Sequence, residues 1–328
     1  MTNPIAGTRF EHDSFAPIAV ATRSGFDESL HFGAGVVIGR DGAIATSIGD
    51  PALAVYPRSA LKPLQASAMV RAGLDLPPSL LAVVCASHSG EQRHLATVTE
   101  VLDRHQLSID DLQNTSDRPF GSDARRAAAA ADVAPSPLQQ NCSGKHAAML
   151  ATCCINGWPT DSYLDPDHPL QVAIQVEIDR LAGREGGSVS YVGIDGCGAP
   201  THVMPLVDVA RSFSALVRER SVVAASMTRS PELVGGTDRD VTLWMEAVPG
   251  LIAKEGAAGV MAMATSDGRA AAVKIADGSD LARRAVTVEM LRHLGVDVDG
   301  KVADVRDAVA VSVSGHGSEV GRISALPW

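Results

Sequence analysis

Short β-prone runs open the chain. Ile18 to Ala21, Gly35 to Ile38 and Ala43 to Ser47 are broken by Gly25, Arg40-Asp41-Gly42 and Asp50-Pro51, a pattern that predicts an N-terminal meander. A helix is predicted to begin near Pro57-Arg58-Ser59. In the middle, apolar residues recur at helical spacing over Cys142 to Ile155, Leu170 to Leu181 and Met204 to Glu219, with Ser188 to Ile194 as a strand between the last two. Towards the end, Gly250 to Ala253, Gly259 to Ala264 and Ala270 to Ile275 read as strands separated by glycine-containing turns. Asp280 to Leu294 reads as a closing helix capped by Ser279.

Strands from both ends enclosing helices predict an α+β architecture: a central, mainly antiparallel sheet flanked by helices, with a helical lobe and a cleft between them. No internal repeat or long linker interrupts residues 1–328, which read as one unit. Pro135-Ser136-Pro137, after the alanine run 127–131, is the candidate lobe boundary.

Composition narrows the partners. Lys and Arg number 28 against 38 Asp and Glu, a net charge of −10, so a nucleic-acid partner is not expected. Aromatics are 4%, too few for base stacking or interfacial anchoring. Met1-Thr2-Asn3-Pro4 has no charged n-region leading into an apolar one, and runs such as Ala257 to Ala264 are too short to span a bilayer. The expectation is a cytoplasmic protein without a membrane partner. Cys85, Cys142, Cys153, Cys154 and Cys197 are odd in number and irregular in spacing, which speaks for reduced thiols rather than a disulfide framework.

Candidate chemistry begins at Arg58-Ser59-Ala60-Leu61-Lys62-Pro63. Ser59 and Lys62 stand three apart at a predicted helix start, so they share a face where free N–H groups can meet an oxyanion. A lysine is a base only when neutral, and Arg58 is a nearby cation that favours that form. Ser59 as a plain helix cap is the alternative. In Cys85-Ala86-Ser87-His88-Ser89-Gly90-Glu91, polar residues abruptly close the apolar run Leu80 to Val84; Ser87 is a candidate relay, and Ser87 or Ser89 could instead cap the helix from Glu91. Lys274 lies in an apolar strand that ends at a glycine turn, and could face the cleft or the wet side of an edge; Lys254 competes for the same role. Taken in order, Ser-x-x-Lys, Ser-x-Ser and a late strand lysine echo the three-element layout of class A β-lactamases.

Together with Asn141-Cys142-Ser143-Gly144-Lys145-His146-Ala147 and Gly193-Ile194-Asp195-Gly196-Cys197-Gly198-Ala199-Pro200, these segments make the chain resemble the asparaginase II family of the rhizobial type over nearly its whole length. The resemblance implies a serine β-lactamase/glutaminase-like fold, a homodimer, hydrolysis of L-asparagine to L-aspartate and ammonia, and a zinc ion beside the site. It casts Ser59 with Lys62 and Ser87 with Lys274 as two serine–lysine pairs. It makes Cys142, Lys145 and Cys197 metal ligands, and it places Arg58, His146 and Asp195 around the substrate. Two thiolates, an amine and a water would satisfy tetrahedral zinc, although the amine must first lose its proton. Without the resemblance, Cys142 and Cys197 read as buried structural cysteines. Ser89 stands where relatives carry asparagine, which bears on substrate preference. A β-lactamase-like esterase or peptidase, or a non-catalytic zinc module, are the competing readings.

Overall fold

Strands from both ends of the chain meet in one sheet, as the polar–apolar pattern predicts. The computed structural model describes residues 10–11, 13–184 and 187–328, and the reading of Met1 to Pro4 lies outside them. The strands are β1 (Ala16–Arg23), β2 (Phe26–Ile38), β3 (Ile44–Ile48), β4 (Ala54–Val55), β5 (Tyr191–Ile194), β6 (Pro200–Pro205), β7 (Ile252–Gly256), β8 (Val260–Ala264), β9 (Ala270–Ile275), β10 (Val311–Gly315) and β11 (Ser318–Ala325). The main sheet runs β10-β11-β1-β2-β9-β8-β7 with β3 also paired to β2, and every pairing is antiparallel. A smaller sheet, β4-β6-β5, lies apart from it. The α+β expectation of a mainly antiparallel sheet with helices is met.

The inner strands β8 and β9 are buried along their entire length. They read Val-Met-Ala-Met-Ala and Ala-Ala-Ala-Val-Lys-Ile rather than alternating, because both faces are covered. Helix Leu206–Arg218 packs on one side of β2, β8 and β9, and helix Asp280–His293 packs against β1, β8, β9 and β11. Ser279 caps the latter helix by accepting from the Ala282 N–H, as predicted. The helical lobe is built by Lys62–Arg71, Pro78–Val84, Gln92–Asp103, Ser143–Asn156 and Pro169–Ala182. One buried apolar cluster runs through lobe and sheet, from Ile18 to Val309.

Some boundaries differ from expectation. Met204 is not helical: it and Pro205 close β6 by pairing with β4, and the extended backbone of Pro205 starts the helix at Leu206. The strand predicted from Ser188 begins at Tyr191, because the Ser188 and Val189 N–H groups donate to Asp179 instead. The β10–β11 hairpin was not anticipated; its polar strands 311–325 carry little apolar signal.

Two glycines let the layers close where the candidate residues lie. A Cβ on Gly256, at the end of β7, would collide with the Pro57 carbonyl, so the turn bearing Ser59 rests directly on the strand. A Cβ on Gly144 would collide with the Val83 carbonyl, so the helix from Ser143 meets the end of Pro78–Val84 equally closely. Gly256→Ala is expected to destabilise the protein by about 1–3 kcal/mol through overpacking, read from the urea midpoint. A midpoint equal to the parent's would contradict that close approach.

Candidate active site

Three segments distant in sequence converge on one hydroxyl. Ser59 sits half-buried in a 3₁₀ turn, Arg58–Leu61, that leads into the helix Lys62–Arg71. Arg58 adopts left-handed backbone (φ 53°), an uncommon conformation for a non-glycine residue, immediately before the serine. Its guanidinium holds Asp195 Oδ1 through Nε at 2.8 Å and Nη2 at 2.5 Å. Lys62, 1% exposed, points its amine inward to the carbonyls of Ala86 and Asn141 and to Ser87 Oγ at 3.3 Å. Among the described residues Ser59 Oγ makes no hydrogen bond, so the predicted Ser59–Lys62 pair shares a turn without yet being in contact. Catalytic hydrogen bonds are often long before substrate binds.

Ser87 follows the helix Pro78–Val84 and is held from a second direction by Lys254 Nζ at 2.9 Å. Here the structure corrects the expected pairing. Lys274 is buried on β9, its amine donating to the carbonyls of Ala258 (2.8 Å) and Ile275. Strand β8 separates β9 from β7, so Lys274 belongs to a strand about 10 Å from the one that carries Lys254. The signal for Lys254 was in the sequence: Lys254-Glu255-Gly256 has the Lys-x-Gly spacing of the third β-lactamase element, and Lys274-Ile275-Ala276 lacks it. Burial lowers the Lys254 pKa to about 8, with Glu255 supporting its charge and Lys62 and Arg239 opposing it. Glu255 stays ionised, drawn down to about 2 because Lys254 and Arg239 outweigh its desolvation. Sequence reasoning missed both Glu255 and Arg239.

Ser59, Ser87, Asn141, Arg239, Glu255 and Gly256 line one cavity of about 320 Å³. The expected metal ligands lie in a separate buried cluster formed by Cys142, Cys197 and Ala199. Lys145 Nζ is 3.3 Å from Cys197 Sγ, close to the N-to-S edge of about 3.5 Å in a tetrahedral zinc site. The Cys142 thiol donates to Asn141 Oδ1 at 3.1 Å. Its closeness to Cys197 and the Lys145 charge pull Cys197 down to about 4, while Cys197 and burial push Cys142 up to about 12. Burial opposes the Lys145 charge, but the two sulfurs and Asp195 prevail and raise its pKa. Among the described residues no three His, Cys, Asp or Glu side chains gather as a metal site, so the third protein donor here would have to be Lys145. Two cysteine sulfurs and an amine suit the softness of zinc, and the Lys145–Cys197 edge suits its size.

His146 is not on the cavity. It is fully buried one residue after Lys145, with Nδ1 on the Tyr163 hydroxyl at 2.8 Å and Nε2 without a partner among the described residues. Neither Ser87 nor Ser89 caps the following helix; Glu91 does so in a reciprocal box with His94. His88 is structural, with Nε2 donating to Ser143 Oγ at 2.8 Å and Nδ1 accepting from the Gly90 N–H.

Comparison with known proteins places the chain. The family model described as L-asparaginase II matches residues 19–325. The chain belongs to the L-asparaginase II family, and is a hydrolase of that type. No curated protein sequence matches it. Among solved structures, it is similar to a β-lactamase from Mycobacterium bovis at 17% identity and a TM-score of 0.40, over 80% of this chain and 94% of that one. It is also similar to EstCE1, described as a hydrolase with promiscuous acyltransferase activity, at 11% identity and a TM-score of 0.34, over 89% and 92% of the two chains. Among the described residues no helix is long and apolar enough to cross a membrane.

Burial makes the interior acid-sensitive. Desolvation holds His88, His94 and His146 below the usual imidazole range and His202 at about 4, so all are neutral when folded. The unfolded chain takes up their protons as pH falls through about 6.5, whereas the folded one does not. Stability is therefore present above that pH and is lost below it, by about 1.4 kcal/mol per pH unit for each such histidine. The melting temperature is expected to drop between pH 7 and pH 5, and less steeply in His202→Gln; a flat profile would contradict neutral burial.

Proposed function

We propose that the protein is an L-asparaginase of the rhizobial kind, hydrolysing L-asparagine to L-aspartate and ammonia through an ester on Ser59. The observation that carries this reading is the Ser87 hydroxyl held between Lys62 and Lys254 on the wall that also presents Ser59. Lys62, acting as base, takes the Ser59 proton as Oγ bonds to the side-chain amide carbon. The backbone N–H of Ser59 and one from β7 hold the oxyanion. The C–N bond breaks, the nitrogen accepts a proton through Ser87 and ammonia leaves. Water, deprotonated by Lys62, then attacks the ester carbon, and Ser59 Oγ departs with that proton.

Arg58 and Asp195, already paired beside the nucleophile, would receive the α-carboxylate and α-amino groups of the substrate. Cys142, Lys145 and Cys197 would hold zinc. When bound, the ion would supply a fixed positive charge near Asp195 to anchor the substrate's acidic end. In this reading Lys274 is a buried structural residue, and His146 acts on the substrate only through its neighbours Lys145 and Tyr163.

Ammonia release from L-asparagine and from L-glutamine, in the parent and in Ser59→Ala, tests the assignment. Asparagine-dependent release that falls at least about 10³-fold in the variant is expected; near-parent activity there would remove Ser59 as nucleophile. For the metal, Cys142→Ser and Cys197→Ser are expected to lower zinc per chain measured by elemental analysis. Unchanged zinc in both would sink the ligand set.

A further inference from the structure

The chain has only five lysines among its 28 basic residues, and the structure buries four of them: Lys62, Lys145, Lys254 and Lys274. The two that meet Ser87 have different company. Lys62 Nζ faces carbonyls and a hydroxyl, and among the described residues no carboxylate lies within ion-pair distance of it. Lys254 Nζ is 2.9 Å from Glu255 Oε1 and also donates to the Glu255 carbonyl at 2.9 Å. That same Oε1 accepts from Arg239 Nη2 at 2.8 Å, while Oε2 is buried with no hydrogen-bond partner among the described residues. Arg239 Nη1 reaches back to the Ser87 carbonyl at 3.2 Å, and its guanidinium lies 4.7 Å from the centre of the Phe120 ring. One guanidinium thus ties strand β7 to the Ser87 loop through a single carboxylate.

We propose that Glu255, steadied by Arg239, is a positioning residue that holds the Lys254 ammonium on Ser87, making Lys254 the proton donor to the leaving nitrogen. The proposal deepens the serine–lysine reading given above and rests on it. The charged and titratable groups that bear on Lys254 are Glu255, Arg239 at the same carboxylate oxygen, Lys62 across Ser87 and the Cys85 thiol. Arg283, already paired with Asp240 and Asp280, bears on Glu255 from the helix Asp280–His293. Of these, Glu255 is the group whose charge favours the ammonium form, and it stands where the β-lactamase element carries an uncharged threonine. The proton count closes. Ser59 gives its proton to Lys62, Lys254 gives one through Ser87 to the departing nitrogen, and the proton gained by Lys62 returns across Ser87 to Lys254.

Five lysines make the test direct, because the full-length chain labelled with [13Cε]lysine gives five signals, with Lys254 identified by its loss in Lys254→Met. In Glu255→Gln the Lys254 titration midpoint is expected to fall from about 8 by about one pH unit or more. The alkaline limb of kcat for ammonia release should move down with it while KM changes less than about twofold, and Glu255→Asp should recover part of both. Glu255→Thr, which installs the residue the β-lactamase element carries there, also removes the carboxylate and should lower the midpoint in the same direction, which keeps the test alive if Glu255→Gln does not fold. An unmoved midpoint in a folded variant of either kind overturns the proposal. Failure of the underlying reading looks different: Ser59→Ala would then keep its turnover whatever the lysine midpoints do.

Discussion

The structure turns on a buried meeting of two amines at one hydroxyl. Two ammonium charges roughly 6 Å apart would repel by about 3 kcal/mol at an effective dielectric of about 20, before any desolvation is counted. The fold answers with oxygen: the carbonyls of Ala86 and Asn141 for Lys62, and the carbonyl and carboxylate of Glu255 for Lys254. A hydroxyl between two such amines can accept from one and donate to the other, a capacity that a thiol or an amide would not match at this spacing. Around this point the rest of the architecture can be read as support.

That support is drawn from three distant parts of the chain. The 3₁₀ turn with Ser59, the end of the helix Pro78–Val84 and the edge strand β7 are far apart in sequence, so their register has to be fixed by the core. Gly256 and Gly144 remove the side chains that would hold these backbones apart. His88 and the reciprocal box of Glu91 with His94 then brace the Ser87 loop from behind with neutral, fully used imidazoles. Neutrality suits this place, because a charged histidine there would add a further positive group beside the lysines.

Much of this was legible before any coordinate. The meander, the three glycine-punctuated strands at the end and the Ser279 cap follow from period and turn chemistry, and the Ser-x-x-Lys and Ser-x-Ser segments supply Ser59 and Ser87 to the cavity wall. What failed was the choice between two strand lysines with similar apolar surroundings. Strand pattern says that a lysine is buried, but only strand order says which neighbour it meets, and β9 lies two places in from β7. Glu255 and Arg239 were invisible for a related reason. Each looks like an ordinary surface charge in sequence, and only their mutual contact across the β7 edge gives them a role.

The use of lysine itself completes the argument. Arginine keeps its proton at any physiological pH and offers a rigid fork, so it can brace a carboxylate but cannot pass a proton or become a ligand. Arginine supplies 23 of the 28 basic side chains, and near the site Arg58 and Arg239 hold the carboxylates of Asp195 and Glu255, Arg239 also reaching the Ser87 carbonyl. In the proposed mechanism three of the five lysines stand where a proton has to be lost or moved: Lys62 and Lys254 at Ser87, and Lys145 against the sulfur of Cys197. Replacing Lys62 or Lys254 by arginine would preserve charge and much of the hydrogen bonding, yet it would freeze the proton in place. A site built on a relay through Ser87 would then lose its chemistry while keeping its architecture, which separates the two roles a buried cation can play.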